Sequence, residues 1–402
     1  MRALRIGPGL LVAAAFIGPG TVTTATLAGA NHGYALGWGI AFSTLATVVL
    51  QEMSARLGVG ARLSLGEALR AKAPTRAGFA AVAAVSVAAI FVGNVAYEGG
   101  NLRGAVLGAR RIPGLDVAEA TWLVGIAALA GALLWAGRLA WVQNLLGALI
   151  AGLSLAYFAA LAHADTDWAA LATGLLPLRL PTGAEATVIA LVGTTVVPYN
   201  LFLHASAARA YYPDARHVGR ARVDTYVSVA LGGLVTLAIS AVAAAATAGE
   251  HGGSAIVGIE DLSRPLGGLL GDYAAGTLAA GYLAAGLSSA ITAPLAAAYA
   301  VSGLFGWGDR LADRRLRLVW AAVLAGGVAF ALLDIRPVPL IFVAQVANGL
   351  LLPAVAGLLL WCVNDAALLG HRVNGRAANL AGALTLLVAA ALGARALLNA
   401  LS

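Results

Sequence analysis

A single cysteine, Cys362, stands in a chain of 402 residues, so neither an internal disulfide nor a paired-cysteine metal or redox site can form. Charge is scarce as well: 11% of residues are charged against 60% hydrophobic, which excludes an ordinary soluble domain and indicates a polytopic α-helical membrane protein. The sequence shows no phosphate loop, no metal-ligand cluster and no paired carboxylates in an apolar setting, so no enzyme is expected. The opening MRALRIGPGLL has no short apolar region followed by a small-residue cleavage site, and is read as the start of the first span.

Apolar runs lie at about 8–30, 34–57, 78–103, 118–136, 139–163, 185–208, 221–248, 268–304, 315–333, 337–362 and 376–400, which predicts eleven spans. With the N-terminus inside, 18 of the 25 Lys and Arg fall on the inner side, including Arg2, Arg5, Arg56, Arg138, Arg209, Arg222 and Arg372. Seven, among them Arg103, Arg179 and Arg395, fall on the outer side. That bias predicts a multi-pass protein of the cell membrane with a cytoplasmic N-terminus and an extracytoplasmic C-terminus. The net charge of +7 is therefore a topological signal, and the partners expected are the lipid bilayer and a small ion, without nucleic acid or a soluble protein. Two connections are predicted at the interface: 164–184, with Trp168 at headgroup level, and the basic amphipathic segment after the second span.

Two spans are interrupted. Residues 8–30 are cut by Gly18-Pro19-Gly20-Thr21, and at about 1.5 Å per residue the run from Pro8 to Ile17 reaches roughly the bilayer midplane. Residues 185–208 are cut at Val197-Pro198-Tyr199-Asn200, again near the midplane. Backbone that leaves the helix at this depth survives only when buried in protein or lining a cavity. A Pro kink satisfied by its neighbours is the alternative. Paired interruptions five spans apart point to an inverted repeat with a site between the breaks: spans 1–5 (1–163) against spans 6–10 (185–362), with span 11 (376–400) added, all one transport domain.

At these residues the chain resembles the Nramp (natural resistance-associated macrophage protein) family of proton-coupled divalent-metal transporters. The opening GPGLLVAAAFIGPGTVTTATLAGANHGYALGW and LQEMSARLGVGARLSLGEALR are similar to the family's opening pattern. VVPYNLFLH, GLSSAITAPLAAAYAVSGLFGW and AQVANGLLLP are similar to its sixth, eighth and tenth spans. The resemblance implies a leucine-transporter-type 5+5 inverted repeat with helices 1 and 6 broken, working by alternating access. It also exposes departures: Gly18 stands where the family has its metal-binding Asp, Thr21 where it has Asn and Val197 where it has Met. Tyr199 replaces the first of two sixth-span histidines, His204 retains the second, and Asn94 and Tyr97 stand where the family has the acids of its proton path.

A dehydrated transition metal needs anionic or soft ligands, and these positions offer only hydroxyls, amides and carbonyls, so no site of transition-metal type is expected. Helix N-termini facing the breaks, with Thr21, Thr23 and Thr24 as hydroxyl donors, suggest a small oxyanion such as bicarbonate or a small carboxylate. Gly18, Gly20, Thr21, Thr24, Val197, Tyr199 and Asn200 would surround it, with Asn94, Tyr97 and Gln345 lining the cavity. Ser288, Ser289 and Thr292 supply hard oxygens for a coupling Na⁺, the one bound ion expected and no other cofactor, although such hydroxyls also back-bond to helix carbonyls. Glu98 and His204 are proton-linked candidates: Glu98 could instead pair with Arg103, and His204 could be a packed, hydrogen-bonded residue. The alternatives are a divalent cation (Mg²⁺ or Mn²⁺) bound partly hydrated through waters and carbonyls, and a sensor or scaffold that does not transport.

Overall fold

The computed structural model describes residues 7–9, 17–73, 75–115, 117–137, 140–176, 180–248, 256, 258–308 and 310–401. The inner half of the first expected span, residues 10–16, lies outside them, as do Arg2, Arg5, Arg138 and Arg179. Among the described residues the chain is all helix and turn, with no strand.

After the first interruption α1 (Pro19–His32) and α2 (Gly37–Arg56) follow, then a π-helical turn, Leu57–Ala61, and the short α3 (Leu65–Lys72). The long α4 (Arg76–Ala109), α5 (Glu119–Ala136) and α6 (Ala140–His163) come next, with a surface helix of about two turns, α7 (Trp168–Gly174), behind them. The second interruption separates α8 (Glu185–Thr195) from α9 (Pro198–Tyr211). Thereafter come α10 (Val218–Ala246), α11 (Ile259–Leu270), α12 (Ala274–Phe305), α13 (Arg314–Ala331), α14 (Pro337–Val363), α15 (Ala366–Leu369) and α16 (Arg376–Leu401).

Eight helical stretches among the described residues are long and apolar enough to cross a membrane, rather than the expected eleven. The shortfall has local causes. α1 has 14 residues, about 21 Å at the helical rise, and is half a span. α2 carries Gln51, Glu52 and Arg56 in its last two turns, and α13 opens with Arg314, Arg315 and Arg317. The expected span at 268–304 is present as α12, which starts at Ala274 after the amphipathic helix α11 stops at Gly271, whose φ of 52° only glycine adopts without strain.

α4 and α12 are the longest helices and pack along each other, and α4 also lies against α13 and α14. α10 covers α1 and α2 on the other side, and α14 holds α8. The two broken segments therefore lie at the centre, with the residues next to each break buried between these layers. Outward faces are apolar: Leu45, Trp135, Trp141, Leu155 and Leu384 are exposed, as a lipid-facing surface requires. Glycines let backbones meet where the core is tightest; a Cβ on Gly58 would overlap the Ala205 carbonyl of α9, and one on Gly193 the Gln345 carbonyl of α14.

The amphipathic segment predicted after α2 is realised as α3. Ser64 caps it in a capping box, its hydroxyl accepting from the Glu67 N–H at 3.3 Å while Glu67 Oε2 accepts from the Ser64 N–H at 2.7 Å. Arg209 of α9 also donates to Glu67. Burial acts to raise the Glu67 carboxyl, but the bonds from Arg209 and Ser64 outweigh it and hold the group below the usual carboxylate range. A group held low contributes stability above its unfolded value and loses it as pH falls through the folded one. Glu67→Gln should therefore melt below wild type at pH 7, and the gap should close as pH drops below about 4. Ser64→Ala should lower stability by about 1 kcal/mol, read as a lower melting midpoint in detergent.

Candidate functional site

Both interruptions place a proline at the first position of the following helix, Pro19 in α1 and Pro198 in α9, after an extended residue, Gly18 or Val197. The breaks meet through side chains. Thr21 Oγ1 lies 2.8 Å from Thr194 Oγ1 on α8, a bond that ties one broken segment to the other. Ile17 packs with Val197, Tyr199 and Tyr97 in one small cluster, and the Tyr97 and Tyr199 rings meet edge to face at 5.6 Å. A Cβ on Gly18 would lie 3.2 Å from Ser289 Oγ and 3.7 Å from the Tyr97 hydroxyl oxygen. One on Gly20 would collide with the Gln345 amide, so the glycine opens the place that this amide fills.

The structure thus brings together Gly18, Gly20, Thr21, Tyr97, Val197, Tyr199, Ser289 and Gln345. Asn200 opens α9 next to Tyr199, wholly buried, with neither its amide oxygen nor its amide nitrogen partnered. Gln345 Oε1 is likewise unpartnered, its nitrogen reaching the Ile341 carbonyl at 3.3 Å. Thr24 is buried without a partner one turn on in α1, and Asn94 leans on the Ala293 carbonyl at 3.5 Å. A buried amide without a partner costs about 1–3 kcal/mol, so Asn200 and Gln345 mark a place where something polar completes the arrangement.

Other expected groups are diverted. Thr292 gives its hydroxyl to the Ser288 carbonyl at 2.5 Å and Ser288 is only half-buried, which leaves Ser289 as the one expected sodium oxygen facing the break. His204 Nδ1 is 2.8 Å from Gln51 Oε1, the packed, hydrogen-bonded reading of this residue. Glu98 does not pair with Arg103, since a five-residue offset puts the two about 140° apart around the helix. Arg103 bonds instead to Glu119 and to the Leu333 and Ile335 carbonyls. Glu98 is wholly buried, packed against Gly327 of α13.

Sequence reasoning missed three parts of the site. Thr194 partners Thr21, Tyr282 bonds Thr23 at 2.8 Å, and Asn348 is a further unpartnered buried amide one turn beyond Gln345. Only Asn348, inside AQVANGLLLP, carried a signal: with Gln345 it is one of two amides in a segment whose other residues are apolar. A cavity of about 320 Å³ leads from Ser64, Glu67 and Arg209 to Leu203, Thr292 and Tyr299. Leu203 belongs to the Tyr97–Tyr199 cluster and Tyr299 packs on it, so the cavity runs from the α3 end of the molecule to the edge of the site.

Two helix breaks meet at buried polar groups with a vestibule running up to them, and together with the family match this makes the chain a membrane transporter and not an enzyme. The sequence matches the family described as "Natural resistance-associated macrophage protein-like" over residues 9–399, and the chain belongs to that family. It is similar to "Divalent metal cation transporter MntH" of Ralstonia nicotianae, 32% identical over 389 residues that cover 92% of this chain and 85% of that protein. The protein of the same name from Verminephrobacter eiseniae is 28% identical over 376 residues, covering 92% and 83%. The fold is similar to that of a manganese transporter from Eremococcus coleocola, with a TM-score of 0.77 at 21% identity over 96% of this chain and 84% of that one. A nucleobase-cation-symport-1 family transporter in a closed conformation gives 0.58 at 14% identity, covering 96% and 92%.

These relatives overturn the expectation of a bicarbonate or carboxylate carrier and lend no support to sodium coupling. The geometry explains the error. Pro19 and Pro198 remove an N–H from each helix start; the Val22 N–H is taken by the Gly18 carbonyl and the Asn200 N–H by the Val197 carbonyl. Thr21 and Thr23 share their hydroxyls with Thr194 and Tyr282. The cradle of N–H and O–H donors that an anion would need is largely used up. α8 meanwhile ends at the break, so the partial negative charge of its C-terminal carbonyls points there, a term the N-terminus argument left out.

Proposed function

We propose that the chain carries a divalent metal cation, Mg²⁺ or Mn²⁺, across the membrane by alternating access, binding it with part of its water shell between the two breaks. The observation that carries this reading is the full-length similarity, 28–32% identity, to proteins named divalent metal cation transporters. The site adds a chemical specification. With glycine at 18 and valine at 197 there is no carboxylate or thioether, so the cation is hard and stays partly hydrated. Asn200 Oδ1, Gln345 Oε1, Ser289 Oγ and the carbonyl end of α8 offer neutral oxygens to the ion and its waters. Mg²⁺, which dehydrates reluctantly and accepts few direct ligands, suits such a site.

Within this reading the chain has eleven spans, the two 5+5 halves lie at 1–163 and 185–362, span 11 follows at 376–400, and the N-terminus faces the cytoplasm. Glu67 and Arg209 then stand at the inner mouth of the vestibule. Reconstituted into liposomes, the wild type should take up Mn²⁺ and Mg²⁺ saturably, and Asn200→Leu should cut the rate at least about tenfold, a loss of about 1.4 kcal/mol in transition-state stabilisation. Absence of cation flux in sealed, correctly folded wild-type liposomes would overturn the proposal.

A further inference from the structure

Where α2 ends and α10 begins against the segment that leads into α16, a second polar pocket of about 370 Å³ opens at the edge of the bundle. Three guanidinium groups line it, Arg56, Arg222 and Arg372, with His371 and a single carboxylate, Glu52. Their bonding divides them into a frame and a free set. Arg56 belongs to the frame: its Nε donates to Glu52 at 3.1 Å, and its other nitrogens donate to the Arg372 carbonyl and to Asn374 Oδ1. Arg222 donates Nε and Nη2 to Glu52 Oε1 at 3.0 and 2.8 Å, which leaves Nη1 uncommitted on a side chain 46% exposed. The Arg372 guanidinium and the His371 ring have no partner among the described residues. One carboxylate is thus shared by two arginines while a third arginine stands open beside them, a net charge of +2 in a pocket built to receive an anion.

The surroundings identify the kind of anion. From the pocket the outer face of α10 runs on as Val223, Val227, Leu231 and Leu234, all exposed, at helical spacing. On α16, which also starts beside the pocket, the exposed Leu380, Leu384 and Leu387 form a second apolar track at helical spacing. A soluble phosphate has no use for two apolar tracks. A phospholipid does: the phosphate takes paired N–H bonds from guanidinium groups while the acyl chains follow the leucines and valines into the bilayer.

We propose that this pocket binds the headgroup phosphate of an anionic phospholipid, held by Arg372 and Arg222 against a frame made by Glu52 and Arg56. Occupied, it ties α2 and α10 to the segment before α16 at one face of the membrane. The proposal does not depend on which ion the central site carries.

Arg372→Gln isolates the free set, because Arg56 bonds to the backbone carbonyl of residue 372, which the substitution keeps. The purified full chain would be melted in a neutral detergent with phosphatidylglycerol, with phosphatidylcholine, or with inorganic phosphate, and lipid retention read by native mass spectrometry. A lipid that binds only the folded state raises the melting midpoint by mass action. Phosphatidylglycerol should raise it by several degrees, about 3 °C or more. Phosphatidylcholine and phosphate should each give less than half that shift, and Arg372→Gln should lose most of the shift together with the retained lipid. Equal shifts with phosphatidylcholine, an unchanged response in Arg372→Gln, or a full shift with inorganic phosphate alone would each overturn the proposal.

Discussion

Gly18→Asp should raise the affinity for Mn²⁺ at least about tenfold, a gain of about 1.4 kcal/mol. Residue 18 has φ −117° and ψ −175°, extended backbone that any side chain adopts, so the substitution brings no backbone strain. Its Cβ would sit 3.2 Å from Ser289 Oγ and 3.7 Å from the Tyr97 hydroxyl, so the carboxylate arrives beside the oxygens that face the break. A formal charge then acts where only dipoles act now. At an effective dielectric of about 20, a carboxylate and a dication 4 Å apart attract by several kcal/mol, enough to leave a tenfold gain after most of the term is lost to desolvation. Without metal the new carboxylate is buried and unpaired, so the variant should melt below wild type and regain the difference on adding Mn²⁺. Competition for Mn²⁺ in a calorimetric titration checks the first effect, and a melting curve with and without metal checks the second. A carboxylate that weakens cation binding would show that the ion does not sit at this break.

Gly193→Ala should cost about 1–3 kcal/mol or more and take transport with it. The added methyl would overlap the Gln345 carbonyl oxygen of α14 and crowd the Gly349 N–H. Gly349 faces the reverse problem against the Ile189 carbonyl of α8. Backbone lies on both sides of this contact, so no rotamer change relieves it, and α8 must move away from α14. That movement separates Thr194 and Gln345 from the break they serve. Gly20→Ala makes a useful contrast, since there the clash is with the end of a flexible side chain. It should spare the fold and displace only the Gln345 amide, so size-exclusion profiles and melting curves should separate the two variants.

Much of the architecture was legible because proline and glycine punctuate membrane helices more strongly than composition does. Pro19 and Pro198 marked both interruptions, and the basic amphipathic segment after α2 was read as such, although the Ser64–Glu67 capping box that starts α3 was not. What the site does with its groups was not legible. Whether Thr21 is a free donor or half of a Thr–Thr pair depends on which helix packs beside it, and nothing within 8–30 names Thr194. The anion expectation also treated helix starts as full donor sets, although a proline at the first position removes one donor, a correction the sequence itself contained. Arg103 shows the same limit of one-dimensional spacing, for its partner Glu119 lies beyond a turn.

The direct measurement is calorimetric titration of the purified wild type and Asn200→Leu with MgCl₂, MnCl₂ and sodium bicarbonate in turn. A cation site of neutral oxygens at the two breaks requires saturable heat from the divalent salts in the wild type and its loss in Asn200→Leu. Saturable binding of bicarbonate with none for either cation would contradict it.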